Sequence, residues 1–69
     1  MARMEESEIE MVGRHVREGE EHVASQRKIV ASLPPESGLA DAARDILALF
    51  EETLERHRSH LARLLQKGL

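Results

Sequence analysis

The chain has 69 residues and no cysteine, so it has room for one domain, no disulfide to staple it, and no thiol for catalysis, redox sensing or zinc. Charged residues make up 33% and hydrophobic residues 41%, yet Phe50 is the only aromatic, a mixture that suits packed helices and lacks the rings that stack on bases. A formal net charge of −3 argues against a general nucleic-acid binder, which needs a basic surface to neutralise phosphates.

The first predicted element begins near the capping-box pair Ser7 and Glu10, or already near Glu5, and runs to about residue 33. Ile9, Val12, Val16, Gly19, Val23, Gln26, Val30 and Leu33 alternate along it in steps of three and four. That alternation keeps one coiled-coil-like seam facing a partner helix. Pro34-Pro35 then removes two donors and turns the preceding residue out of the helical region, so the helix stops there.

Residues 34–38 form the predicted turn, and Ser37 or Asp41 is the expected cap of a second helix over about 39–66, with Gly68 marking its end. Leu39, Ala43, Ile46, Leu47, Phe50, Leu54, Leu61, Leu64 and Leu65 make its apolar stripe broader than the first seam, and Leu49 widens it further. A connection this short makes the two helices antiparallel neighbours. The fold class is therefore all-α, a single antiparallel helical hairpin.

A reversal centred near Glu36 pairs residues whose numbers add to about 72. Ile46 then falls near Gln26, Phe50 near His22, Thr53 near Gly19, His57 near His15 and His60 near Val12. The charge distribution supports this arrangement. Residues 1–22 carry seven acids and three bases, whereas residues 53–69 carry four bases and one acid. An antiparallel hairpin sets the acidic start beside the basic finish.

Two helices alone are expected to leave Ile46, Leu47, Phe50, Leu54 and Leu61 exposed over an arc too wide for one partner. A second copy would cover that arc, giving a homodimeric four-helix bundle. The expected core and dimer interface comprises Val12, Val16, Gly19, Val23 and Val30 with Ile46, Leu47, Phe50, Leu54, Leu61 and Leu64. Gly19 is read as a place where a neighbouring helix or the Phe50 ring comes close, and Gln26 as a polar residue that sets register.

His15, Glu18 and His22 share one face of the first helix, and His57 and His60 lie three apart on the second. Facing His and Glu residues inside a bundle are how carboxylate-bridged metal sites are built. The order near His15, however, is His-x-x-Glu, and no Glu-x-x-His occurs. No metal or other cofactor is therefore expected, and a metal- or pH-responsive bundle using this cluster is the alternative reading. No nucleophile elbow or phosphate loop accompanies the serines, so no enzyme activity is expected.

No apolar run is long enough to span a membrane, and Met1–Glu10 holds four glutamates rather than a basic segment followed by an apolar one. The expectation is no signal peptide, no membrane association and a cytoplasmic location.

The segments HVREGEEHVASQRKIVASLP (His15 to Pro34) and LALFEETLERHRSHLARL (Leu47 to Leu64) resemble short uncharacterised helical proteins of rhizobial α-proteobacteria. Those proteins share a similar H-V-x-E-G-E-x-H-V-x-x-Q-R run and a similar F-E-x-T-L-x-x-H-R-x-H run. The resemblance spans about two-thirds of the chain and implies a bacterial cytoplasmic helical protein, with no catalytic or binding residue to transfer. The expected function is a small homodimeric protein–protein interaction module, a regulatory or adaptor protein whose partners are itself and an unidentified protein.

Overall fold

The computed structural model describes residues 6–67, which form two α-helices, α1 (Glu8–Ser32) and α2 (Gly38–Lys67). They pack against each other in antiparallel sense, Glu20 of α1 meeting Arg58 and Arg27 meeting Glu51. No strand occurs among the described residues. The helices are about 38 Å and 45 Å long at about 1.5 Å per residue.

Ser7 fixes where α1 begins. Its Oγ accepts from the Glu10 N–H at 3.1 Å while Glu10 Oε1 accepts from the Ser7 N–H at 3.0 Å, so the capping box is complete. The helix starts at Glu8 rather than near residue 5; Glu6 and Ser7 are not helical, and Glu5 lies outside the described residues. At the other end Leu33 is extended, as the proline after it requires, and its N–H donates to the Val30 carbonyl at 3.3 Å. Ser32 Oγ donates to the Ile29 carbonyl at 2.8 Å, satisfying one of the last free acceptors.

Of the two candidate caps for α2, Ser37 holds the position: its Oγ accepts from the Ala40 N–H at 3.0 Å. Asp41 sits inside the first turn and pairs with Arg44 one turn later. Gly38 belongs to the helix rather than the turn, and the expected stop at Gly68 lies outside the described residues.

Between the helices Val12, Val23, Ala40, Ala43 and Leu54 are buried, with Gln26 the one buried polar side chain. Leu54, expected to be exposed without a second copy, is 5% exposed. Leu47, Phe50 and Leu61, expected to share that exposure, are half-buried. Leu47 and Leu54 lie seven residues apart on the line facing α1, so a single partner helix covers both. Ile46 stands about 100° round the helix from Leu47 and stays 43% exposed.

Two of the five core residues are alanines. The Cα trace measures 51 × 31 × 13 Å, so the hairpin is one layer of helices with its broad faces open. Stable domains ordinarily bury an apolar stripe between at least two layers.

Candidate functional site

At Gly19 the two helices approach closely. A Cβ built there would stand 3.1 Å from Leu54 Cδ1, 3.5 Å from Leu54 Cβ and 3.7 Å from its Cα. The expected close approach is present and Leu54 makes it, while Phe50 and Thr53, expected beside Gly19, line a groove together with it. About two helical turns further, Gln26 Nε2 donates to the Ala43 carbonyl at 3.0 Å, a few residues from the expected Ile46. Alanines at 40 and 43 let the glutamine reach the backbone, which a bulky residue would block.

The seam has two edges of different chemistry. Along one, Arg27 Nη2 lies 3.2 Å from Glu51 and Arg58 Nη2 lies 3.2 Å from Glu20, each pair joining the two helices. Arg58 also reaches Glu55 at 3.4 Å. The hydrogen bond that Arg58 donates to Glu20, the largest influence, raises the guanidinium's hold on its proton above that of an ordinary arginine. These pairs are solvent-exposed, so they bias register more than they stabilise the fold.

Along the other edge lies a groove of about 190 Å³ lined by His15, Glu18, Gly19, His22, Phe50, Thr53 and His57. The His15 and His57 ring centroids are 4.9 Å apart and those of His22 and Phe50 5.7 Å, two juxtapositions the register predicted. Both pairs are tilted at 38°, with centroids inside the range of about 4.5–7 Å over which aromatic rings interact. His57 Nδ1 is buried and has no hydrogen-bond partner among the described residues. Nearer the free end, His60 Nε2 lies 3.3 Å from a carboxylate oxygen of Glu8, one helical turn before Val12.

Glu18 lines this groove and pairs with Arg14, 3.3 Å distant. Arg14 also grips Glu6 through two hydrogen bonds of 2.9 and 3.0 Å, and this guanidinium holds the Glu6 carboxyl below the usual carboxylate range. His15, Glu18, His22, His57 and His60 thus divide into two ring pairs and two ion pairs. Among the described residues no three His, Asp or Glu side chains converge in a way that could hold a metal ion.

The other interface candidates also have defined places. Val12 and Val23 are buried; Val16, Gly19, Val30, Leu47, Phe50, Leu61 and Leu64 are half-buried; Ile46 is exposed. Sequence reasoning missed Met11 and Ile29, which remain 36% and 48% exposed on the histidine side of α1. Their signal was a second ladder one residue out of phase with the first: Met11, His15, Glu18, His22, Ser25 and Ile29 also alternate by threes and fours.

No helix among the described residues is long and apolar enough to cross a membrane. Compared with known proteins, the chain matches no family model, no curated protein and no solved structure.

Proposed function

We propose that this chain is a small protein–protein interaction module that works as a homodimer, two hairpins closing into a four-helix bundle in the bacterial cytoplasm. It acts by contact, as a regulatory or adaptor protein, and performs no catalysis. The observation that carries this reading is the surplus of surface. The chain exposes 5483 Å², about 1,100 Å² more than the roughly 4,400 Å² expected of a compact monomer of its mass. A stable interface takes about 800 Å² from each partner. The non-catalytic part has its own support: Ser7, Ser32 and Ser37 are all engaged in helix-end hydrogen bonds, not poised beside a base.

Sedimentation equilibrium tests the reading directly. The expected result is a species of twice 7.8 kDa at micromolar concentration, and a monomer throughout would overturn it. A cross-linking survey that recovers only the chain itself would remove the adaptor role while leaving the homodimer.

One observation favours a second reading, a bundle that responds to pH. Protonation of both His15 and His57 would set like charges 4.9 Å apart, one of them on a ring with a buried, unpartnered nitrogen. Glu18 and His22 line the groove from α1, and Glu52, Glu55, Arg56, His60 and Arg63 flank His57 on α2. A dimer constant that is the same at about pH 5.5 and about pH 8 would exclude it.

A further inference from the structure

We propose that the two copies meet through the histidine-bearing edge of the hairpin, centred on Ile46, Leu49, Phe50 and His22, and that the ion-paired edge stays in solvent. This rests on the homodimer reading and adds which surface is used.

The two edges are not equivalent as docking surfaces. Arg27–Glu51 and Arg58–Glu20 cross the first edge, and burying it would strip water from four charges already satisfied where they are. Along the middle of the opposite edge no ion pair joins the helices among the described residues; the His60–Glu8 pair stands at its free end. Five of the seven exposed large apolar side chains among the described residues lie on this second edge, whereas Ile9 and Leu65 line a separate groove with Gly13, Arg17 and Leu61. Leu39 is 71% exposed, Leu49 62% and Ile46 43%, and with Ala42 they step along α2 by threes and fours. Met11 and Ile29 occupy the matching line of α1.

Each helix therefore carries two adjacent ladders. One faces the other helix of its own chain; the second lies about 100° round, touches the other helix through His15 and His22, and leaves Met11 and Ile29 on α1 and Leu39, Ile46 and Leu49 on α2 exposed. A helix in a four-helix bundle has this double stripe, because it packs on two neighbours at once. The occupant argued here is a second copy, since the uncovered ladders come in the pair that a two-fold axis would set against itself, and the surplus area matches one such face per chain. Glu18, the charged rung of the α1 ladder, is paired with Arg14, a guanidinium it shares with Glu6.

Sedimentation equilibrium on three proteins tests the assignment: the unaltered chain, Leu49→Glu on the histidine edge, and Ala24→Glu in the groove between Glu20 and Arg27 on the ion-paired edge. The expected outcome is a dimer weakened about tenfold or more by Leu49→Glu and unchanged by Ala24→Glu. The reverse pattern would overturn the face and leave the homodimer standing, whereas an unaltered chain that is monomeric removes both. Should Leu49→Glu fail to fold, thiol alkylation decides instead, because the chain has no cysteine of its own. Leu49→Cys should then react about tenfold more slowly than Ala24→Cys at dimer-forming concentration. Equal rates would mean that this face is open, and a Leu49→Cys protected only when lipid vesicles are added would assign it to a membrane surface; either result overturns the proposal.

Discussion

The side-chain amide of Gln26 donates to the backbone carbonyl of Ala43 at 3.0 Å, across a seam otherwise filled by valine, alanine and leucine. A buried amide needs a partner, and a register shifted by one residue would leave it without one. Gln26→Ala is expected to destabilise the fold by about 1–2 kcal/mol, the loss of one buried hydrogen bond with some packing. Gln26→Leu, which restores the volume, should recover most of that stability while relaxing the register. Urea unfolding measures the first effect. Amide exchange along α2 measures the second, and protection equal to the parent's in Gln26→Leu would show that the glutamine does not set register.

Gly19 lies under Leu54, and substitutions there weigh helix propensity against space. Alanine gains about 1 kcal/mol of propensity but places its Cβ 3.1 Å from a leucine methyl, so Gly19→Ala is expected to change stability by less than about 1 kcal/mol. Gly19→Leu must displace the α2 backbone as well and should cost about 1–3 kcal/mol. Thermal unfolding of the two variants gives the comparison; equal melting temperatures would mean that the helices separate easily at this point.

Core truncation should outweigh any change at the ion-paired edge. Leu54→Ala removes the largest core side chain, 5% exposed, and is expected to cost about 2–5 kcal/mol. Arg58→Ala breaks two exposed ion pairs and should shift the denaturant midpoint far less than Leu54→Ala does. Denaturant midpoints for both variants check the ordering, and an Arg58→Ala loss as large as that of Leu54→Ala would show that the bridge, not the seam, holds the helices together.

Glu6 gives a signed pH dependence. Its carboxyl is held below the ordinary value of 4.5 by hydrogen bonds from Arg14, so the contact is fully formed above about pH 4.5. The stabilisation is lost as pH falls through the lowered folded-state value. An NMR titration should place the Glu6 midpoint below 4.5 and return it toward 4.5 in Arg14→Ala. An identical midpoint in both proteins would show that Arg14 does not act on it.

Much of the hairpin is legible in the sequence because its signals are local. The reciprocal bonds of Ser7 and Glu10 involve residues three apart, and Pro34-Pro35 ends a helix whatever surrounds it. The antiparallel pairing of His15 with His57 and of His22 with Phe50 follows from the position of the turn alone. Local patterns are less informative one residue finer. The turn position does not say that Gln26 bonds the Ala43 carbonyl or that Leu54 makes the tightest contact with Gly19, because those contacts depend on how the two helices pack.

The sequence by itself determined two helices, their limits to within a turn, their antiparallel sense and the seam on α1, since periodicity, capping and proline chemistry act over a few residues. The tertiary structure decided how wide an apolar stripe one partner can cover: it buried Leu54, half-buried Leu47, Phe50 and Leu61, and left Ile46 and Leu49 outside. It also decided which edge is closed by ion pairs and which carries the histidines. Both depend on the rotation of each helix about its axis, a quantity fixed by close packing between residues distant in the chain.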